Sequence, residues 1–361
     1  MSTRQRARRG LTLVELVLAA GLLALLLAAV FKLIQQFMTV WERSELRRAE
    51  VEEASGVAEL CALDLDALEP GPRGDMLAEW AMFDHDGDGV AETKWPRVRL
   101  VRHASPAELA RLQAGEAREE RLAGQGLIEV TWAVLPAFPG TKERDLRPLG
   151  QLWRGERIAG PARGADVSMF DDKYLGLGGA PRPGSTQEVT SGVLWFGMQF
   201  ATQTTVLRDG WKLGAAIGDS VANWDAWRRK RPDASRHFWN DESEFLPTVS
   251  DAPLLPRRAL LEFEIERPSD FKRRTRVRTY FGQQDGTFEV DDGTRLPEVG
   301  AFVRIDYEWL KITDKSGRTV SVRRGQRATT PAPHDAGALV HFGRTTTREV
   351  PIATHREDWG L

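Results

Sequence analysis

The chain has 361 residues, of which 41% are hydrophobic and 28% are charged, which is the composition of a folded protein with one or two domains. Its 50 Lys and Arg residues against 52 Asp and Glu residues give a net charge of -2, so binding to nucleic acid would need a local basic patch. The single cysteine, Cys61, excludes an internal disulfide, a CxxC redox centre and a zinc site with two thiolates.

The N-terminal residues separate positive charge and apolar side chains into two successive blocks. Residues 1–10 contain four arginines and no acidic residue, which by the positive-inside rule keeps this end in the cytoplasm. The next 21 residues, from Leu11 to Phe31, carry one charge and would span roughly 31 Å as a helix. We therefore predict a transmembrane helix, with the remainder of the chain on the far side of the membrane.

A cleaved secretory signal has the same two blocks and is the alternative interpretation. Against it, the apolar run is longer than a signal peptide needs, no A-x-A site closes it, and Glu15 lies inside it. A carboxylate within a membrane helix costs about 2.5 to 3.5 kcal/mol, so Glu15 is expected to be functional and to have a partner. A cut after Gly10 would supply one, because the free amino group of Leu11 on a neighbouring copy could pair with Glu15.

The segment RRG followed by LTLVELVLA resembles the class III signal of type IV pilins and type II secretion pseudopilins. The resemblance implies that prepilin peptidase cleaves after Gly10 and that Leu11 becomes the N-methylated first residue of the mature chain. It also implies that Glu15, the fifth mature residue, neutralises the amino terminus of a neighbouring subunit during assembly. Leu11 stands where the family more commonly has Phe, a departure that the processing peptidase is expected to tolerate.

The helical pattern continues beyond the apolar run. Six residues form an i, i+3, i+4, i+7 stripe, namely Ala54, Val57, Ala58, Cys61, Leu65 and Leu68, and Pro70 with Gly71 ends the helix. We expect residues 1–10 to form the leader, 11–36 the transmembrane part, 37–69 the periplasmic half of the same helix, and 70–361 a mainly-β periplasmic domain. The whole helix would be roughly 87 Å long.

The remaining sequence predicts strands separated by Gly- and Pro-rich turns. The predicted strands are 96–103, 126–135, 150–158, 192–206, 258–267, 276–281, 301–312, 317–324 and 338–344. Residues 105–123 predict a short surface helix capped by Ser105, and residues 159–191 and 229–256 predict long loops. The expected class is α+β, a pilin-like lollipop in which a long N-terminal helix packs on an antiparallel sheet.

Three further segments are similar to those of the J-type minor pseudopilins of type II secretion, namely LCALDLDAL, LIEVTWAVL and GQLWRGER. Glu15 favours the J-type over the K-type, which generally lacks an acidic fifth residue. The resemblance implies an inner-membrane subunit that joins I-type and K-type pseudopilins in a tip complex. That complex starts the periplasmic pseudopilus, built from the major pseudopilin, which exports folded proteins.

Two other functions remain open. One is a minor pilin of a type IV pilus, serving adhesion, motility or DNA uptake. The other is a membrane-anchored periplasmic binding or hydrolase module that shares only the N-terminus.

The segment FDHDGDGVAE has the spacing of oxygen ligands around a hard cation. Asp84, Asp86 and Asp88, the carbonyl of Val90 and Glu92 could wrap one Ca²⁺ ion. Trp95 stands where an EF-hand has its bidentate Glu, so we predict a solitary calcium loop at 84–92 and not an EF-hand. A solvated acidic turn is the alternative.

Catalytic patterns are absent from the sequence. The six histidines form no HExxH, no serine lies in GxSxG, and the glycines near Gly176 lack the dinucleotide-binding spacing. We therefore predict that the protein is not an enzyme. The basic stretch at 224–233 is interpreted as a solvated loop, with contact to an acidic partner subunit as the alternative, and no nucleic acid partner is expected.

Overall fold

The computed structural model describes residues 13–70, 75–83, 93–113, 126–159, 169–170, 185–201, 220–221, 224–226 and 255–352. The chain divides into two compact units, Met1–Glu53 and Ala54–Leu361, and the boundary falls inside the first helix. An apolar N-terminal helix and a large antiparallel β-sheet domain make up the described chain, which confirms the predicted α+β class.

The N-terminal helix α1 extends over Leu13–Asp66 without interruption. Leu, Ala, Glu and Arg dominate its sequence, and no proline occurs before Pro70, so both propensity and backbone hydrogen bonding favour one long helix. The predicted apolar stripe is confirmed, because all six of its residues, from Ala54 to Leu68, are at most 4% exposed.

The second helix and fourteen strands follow in chain order. Their bounds are β1 Met76–Phe83, β2 Thr93–His103, α2 Pro106–Gln113, β3 Leu127–Pro136, β4 Gly150–Ile158, β5 Thr186–Ala201, β6 Ser220–Val221, β7 Trp224–Asp225, β8 Arg258–Ile265, β9 Thr287–Glu289, β10 Phe302–Ile305, β11 Glu308–Ser316, β12 Thr319–Gln326, β13 Val340–His341 and β14 Arg344–Pro351. The structure confirms the strands predicted at 96–103, 126–135, 150–158, 258–267 and 317–324 to within a few residues.

The larger sheet has the strand order β14-β8-β5-β4-β3-β2-β1-β7, with β6 paired to β5. Every described pairing in it is antiparallel, and most neighbours in space are neighbours in sequence. The buried stripe of α1 packs against this sheet in one core that includes Trp132, Phe196 and Phe263. The sheet therefore provides the apolar partner that the C-terminal half of α1 requires.

The smaller sheet has the order β13-β10-β11-β12-β9 and a separate core that includes Phe281, Val303 and Leu310. Two buried arginines join it to the larger sheet. Arg327 donates to Glu262 and Glu264 of β8, at 2.7 Å each, and its guanidinium lies 4.2 Å from the ring centroid of Trp309. Arg304 donates to the carbonyl oxygen of Leu194 in β5 at 3.4 Å and to that of Pro148, just before β4, at 2.9 Å, and burial lowers its pKa to about 9.

Several predicted elements differ from the structure. The strand predicted at 192–206 begins earlier, at Thr186, so the end of the loop predicted at 159–191 is wrong, and the strand predicted at 338–344 is only the two-residue β13 before β14 begins at Arg344. The strand predicted at 301–312 is the hairpin β10–β11, whose turn places Asp306 at a φ of 51°. The strand predicted at 276–281 is wrong, because Arg276, Val277 and Phe281 form only isolated bridges to other segments. A 3-10 helix, Pro268–Arg273, occupies the start of the basic run 272–278.

The predicted surface helix is confirmed at its N-terminus. Helix α2 begins at Pro106, and the backbone N–H of Glu108 donates to Ser105 Oγ at 3.3 Å while the N–H of Ser105 donates to Glu108 Oε2 at 2.8 Å. This reciprocal pair is a capping box. Residues 114–125, which include the rest of the predicted helix, lie outside the described residues.

Gly192 in β5 has a backbone conformation and a close neighbour that only glycine accommodates without strain. Its φ is 72°, and a Cβ atom there would lie 2.3 Å from the carbonyl oxygen of Glu266. We expect Gly192→Ala to lower the free energy of unfolding by about 2 to 4 kcal/mol, from the left-handed backbone and the backbone clash together. Urea unfolding of the full chain in detergent, followed by tryptophan fluorescence, measures this loss.

Gly126 provides the matched control, since its φ is 83° but no atom lies within 4 Å of the position that a Cβ atom would occupy. Gly126→Ala should cost only the backbone strain, about 1 to 2 kcal/mol. Equal losses from the two substitutions would contradict the close approach at Gly192.

Candidate functional site

The N-terminal half of α1 is the candidate membrane segment. Leu16–Met38 is a stretch of 23 residues with mean hydropathy 2.6 and none of it buried within the structure. Such a helix is long enough and apolar enough to span a membrane. The described chain is thus consistent with a single N-terminal membrane anchor.

The residues predicted to direct processing and assembly begin just before this segment. Gly10 and Leu11 lie outside the described residues. Glu15 lies in the first turn of α1, so its backbone is helical, while its side chain lies outside the described part of the structure. The predicted cleavage, methylation and charge pairing at these positions stay predictions.

The predicted calcium ligands, Asp84, Asp86, Asp88, Val90 and Glu92, also lie outside the described residues. They connect β1 to β2, whose ends pair at Phe83 and Thr93. Within the described ranges, no group of three or more His, Cys, Asp or Glu side chains could hold a metal ion. The calcium loop is therefore still a prediction.

The basic stretch at 224–233 is described only in its first three residues. Trp224 and Asp225 form β7, and Trp224 is fully buried beside Phe200, with 6.2 Å between the ring centroids. The interpretation as a solvated loop is wrong for Trp224, since this indole belongs to the main core. The arginines and the lysine of the stretch lie outside the described residues.

A buried carboxylate, Asp64, joins α1 to the larger sheet. It is 1% exposed and accepts a hydrogen bond from Trp132 Nε1 of β3 at 2.8 Å. Arg154 of β4 binds both of its oxygens, with Nε and Nη2 at 2.8 and 2.9 Å. Arg102 of β2 approaches from the other side, with its Nε 2.7 Å from Asp64 Oδ1.

The charges around Asp64 alternate in sign. Arg154 also donates to Glu156 Oε2 at 2.6 Å, Glu156 pairs with Arg111 of α2, and Arg102 pairs with Glu108. Each buried charge therefore has an opposite neighbour, which offsets its desolvation. We call Asp64, Arg102, Arg154 and Glu156 the Asp64 cluster.

The cluster shifts the pKa of Arg154 and of two neighbouring side chains, Glu108 and Cys61. Burial by itself lowers the pKa of Arg154, but hydrogen bonds to Asp64 and Glu156 raise it above its ordinary value. The hydrogen bond from Arg102 lowers the pKa of Glu108 to about 2. Burial raises the pKa of Cys61, and the nearby Asp64 raises it further, so this thiol is neutral and unreactive.

Three segments singled out in the sequence converge on this cluster. Asp64 belongs to LCALDLDAL, Trp132 to LIEVTWAVL and Arg154 to GQLWRGER. Sequence reasoning missed the role of Asp64, although one signal was available. Asp64 lies three residues after Cys61 on the stripe predicted to be buried, and a buried carboxylate requires a cationic or hydrogen-bonding partner.

A second charged cluster lies in the smaller sheet around His334, which is 1% exposed. Its Nδ1 lies 2.8 Å from Asp306 Oδ2 and its Nε2 lies 2.9 Å from Glu308 Oε2. Arg144 binds the other side of Asp306, and Arg324 binds the other side of Glu308. Because both ring nitrogens face carboxylates, both donate, and His334 is an imidazolium.

The pKa directions agree with this protonation state. Burial opposes the charge on His334, but the hydrogen bonds to Asp306 and Glu308 raise its pKa above 6.5. Burial likewise raises the pKa of Asp306, yet the hydrogen bonds from Arg144 and His334 bring it below its ordinary value. Burial also raises the pKa of Glu308, but the hydrogen bonds from Arg324 and His334 lower it to about 2.

A cleft of about 310 Å³ opens beside this cluster, lined by Arg144, Arg147, Asp306, Tyr307 and Asp335. Arg144 already binds Asp306, with Nε 2.5 Å from Oδ1, and lies 3.5 Å from Asp335. The lining therefore consists largely of charges that neutralise one another.

We expect Asp64→Asn to lower the free energy of unfolding by about 3 to 5 kcal/mol, because it leaves the guanidiniums of Arg102 and Arg154 buried without their shared carboxylate. Asp66→Asn is the matched control, since it makes the same change at an exposed position of the same helix. Denaturant unfolding of the full chain in detergent compares the two. A loss no larger than that of the control would contradict a structural role for Asp64.

The charge on His334 leads us to expect that the folded chain loses stability as pH rises. Because its folded-state pKa is raised, its contribution is complete below its ordinary value of 6.5 and is lost as pH rises through the folded-state value. Asp306 and Glu308 have lowered pKa values and lose their contribution only in acid. We expect the unfolding free energy to fall as pH rises above 6.5 in the parent chain and to change less with pH in His334→Gln.

The exposed His103 provides the control for that experiment, since its side chain is 61% exposed. His103→Gln should retain the alkaline decline of the parent chain. If His334→Gln and the parent chain have parallel pH profiles, His334 is not the titrating group.

No protein family, curated protein or solved structure matches this chain. Function is therefore inferred from the chain's own residues and their geometry.

Proposed function

We propose that the protein is a minor pseudopilin of a type II secretion system, of the J-type. It would be a single-pass inner-membrane protein with its bulk in the periplasm. Together with I-type and K-type pseudopilins it would form the tip complex that initiates the pseudopilus, to which the major pseudopilin is added. Its action would be assembly and not catalysis.

The observation that carries the proposal is the construction of α1. One continuous helix, Leu13–Asp66, contains the exposed apolar segment Leu16–Met38 and, further along, the buried residues Val57, Ala58, Cys61 and Leu65 that pack on an antiparallel sheet. A simple membrane anchor needs no helix that continues into the core of the following domain. A subunit that assembles through its helix does need one, because force on the helix must reach the globular domain.

The Asp64 cluster supports the same proposal. Charged groups that are removed from water and bound by two or more partners fix the position of a helix on a sheet more specifically than apolar contacts do. Asp64 is bound by three side chains, Arg102, Trp132 and Arg154, which lie on three different strands. A tip subunit that must transmit its helix position to neighbouring subunits would benefit from this fixed register.

The N-terminal chemistry completes the proposal. Prepilin peptidase would cleave between Gly10 and Leu11, and Leu11 would be N-methylated. The carboxylate of Glu15 would then pair with the amino terminus of a neighbouring subunit in the low-dielectric layer, where the pairing is stronger than in water. Calcium bound by the loop 84–92 would stabilise the β1–β2 connection, and no nucleic acid or other cofactor takes part.

Replacing Glu15 tests the assembly mechanism. Glu15→Gln keeps the size of the side chain and removes its charge, so insertion should remain while pairing with the neighbouring amino terminus is lost. We expect secretion of a type II substrate to fall at least about tenfold, corresponding to about 1.4 kcal/mol of lost pairing. The measurement is the ratio of substrate in the medium to substrate in the periplasm, in a host that lacks the native gene copy.

Glu52→Gln is the matched control, since it makes the same change at an exposed site of α1 where the ion pair with Arg48 contributes little. It should leave secretion unchanged. Normal secretion from Glu15→Gln would contradict the proposal. If secretion is normal but surface piliation or motility is lost, the minor pilin of a type IV pilus becomes the better assignment.

A further inference from the structure

Strand β14 lies at one end of the larger sheet. It pairs with β8 over all eight residues, from Arg344 opposite Ile265 to Pro351 opposite Arg258, with no break in register. Among the residues that the structure describes, no strand pairs with its other edge. Eight residues of regular strand present an edge of about 27 Å.

The hydrogen bonding of β14 determines which groups its outer edge presents. The N–H of Ile352 donates to the carbonyl oxygen of Arg257 at 2.9 Å, so even-numbered residues face β8. In an antiparallel pair the direction alternates along the strand, which points the backbone groups of Thr345, Thr347 and Glu349 outward. The outer edge therefore offers three N–H donors together with their carbonyl oxygens in strand geometry.

This edge has charged side chains at Arg344, Arg348 and Glu349, but it lacks other features that normally prevent a strand from joining another. It has no β-bulge and no lysine, and its one proline, Pro351, is the last residue of the strand. Thr345, Thr346 and Thr347 are β-branched residues that favour a strand, and Thr345 and Thr347 are exposed. The edge is both regular and accessible in the described part of the chain.

The charge at this edge favours one kind of partner. Even-numbered side chains lie on the face of the sheet that packs α1, because Val350 belongs to that core and Arg348 pairs with Glu59 of α1. Arg344 lies on the same face, is exposed, and forms no ion pair with any described residue. Arg344 and Arg348 thus place two guanidiniums four residues apart along the edge. An added strand would meet that of Arg344 without a carboxylate partner among the described residues and that of Arg348 already paired with Glu59.

We propose that β14 binds an extended segment of a partner protein by strand addition, with the segment antiparallel to β14 and its carboxylates opposite Arg344 and Arg348. Backbone hydrogen bonds at Thr345, Thr347 and Glu349 provide the affinity, and the two guanidiniums select acidic segments. The surface is independent of Glu15 and of the apolar part of α1. This inference therefore does not rest on the pseudopilin assignment.

A synthetic peptide tests the proposal on the full chain in detergent. The probe is fluorescently labelled Thr-Val-Glu-Thr-Val-Thr-Glu-Val, whose two Glu residues are four apart and whose fourth residue would lie opposite Thr347. We expect saturable binding by fluorescence anisotropy. N-methylation of the fourth amide, which faces β14, should weaken binding by about tenfold or more, whereas N-methylation of the fifth amide should not.

Variants of the protein give the complementary control. Thr347→Pro removes an outward N–H and leaves the ladder with β8 intact, so it should abolish binding. Thr347→Val keeps that N–H and should bind as the parent chain does. A version of the peptide with Lys in place of both Glu residues should bind at least about tenfold more weakly.

Three outcomes would overturn the proposal. They are the absence of saturable binding by the acidic peptide, equal binding after either N-methylation, and equal or tighter binding of the lysine peptide.

A second copy of the chain is a different occupant, which Thr347→Cys distinguishes because the native Cys61 is fully buried. An efficient Thr347→Cys disulfide between two copies in the membrane would reassign the edge to self-association.

Discussion

The carboxylate of Asp64 is the interaction on which the arrangement of α1 and the larger sheet depends. It lies on the buried side of the helix, where an unpaired charge would cost several kcal/mol, and Trp132, Arg102 and Arg154 offset that cost from three adjacent strands. Any axial shift of the helix by one turn would move the carboxylate about 5.4 Å and break all three contacts. Apolar packing alone tolerates such shifts more readily, since it is not directional.

This constraint explains how one helix can serve two environments. Its first half exposes the apolar side chains of Leu16–Met38, and its second half buries the stripe from Ala54 to Leu65. In the proposed function, lipid and neighbouring helices act on the first half, and the Asp64 cluster conveys the resulting position to the sheet. The cluster around His334 has a different task, since it holds the β10–β11 hairpin of the smaller sheet to the segment containing Arg144.

The local features of this fold could be predicted from the sequence. The stripe from Ala54 to Leu68 is periodic, and β4 has the predicted bounds because Pro148 precedes its run of residues and Gly160 follows it. Strand β1 could not be predicted in this way, because MLAEWAMF has no β-branched residue. The β10–β11 turn gives only a weak sequence signal, because Asp306 tolerates the left-handed backbone but Tyr307 after it is not a turn residue, and ion pairs from elsewhere in the chain hold Asp306.

Local sequence patterns do not predict the long-range contacts between side chains. Asp64 meets Trp132 and Arg154, 68 and 90 residues later, and Asp306 meets Arg144 across 162 residues. Periodicity identifies which side chains are buried, but it does not identify which buried partner each one meets. The run 276–281 illustrates this limit, because Val277 and Phe281 are both buried but form bridges to separate segments, at Val290 and His334, and not to one strand.

Intact-mass and N-terminal peptide analysis of the chain purified from membranes of its own host tests the central claim most directly. The pseudopilin assignment predicts a mature chain that begins at Leu11, carries one added methyl group on its amino terminus and retains the apolar segment. A chain that still begins at Met1 would indicate an ordinary membrane anchor. A chain that has lost the whole apolar segment would indicate a secretory signal, and either result would contradict the assignment.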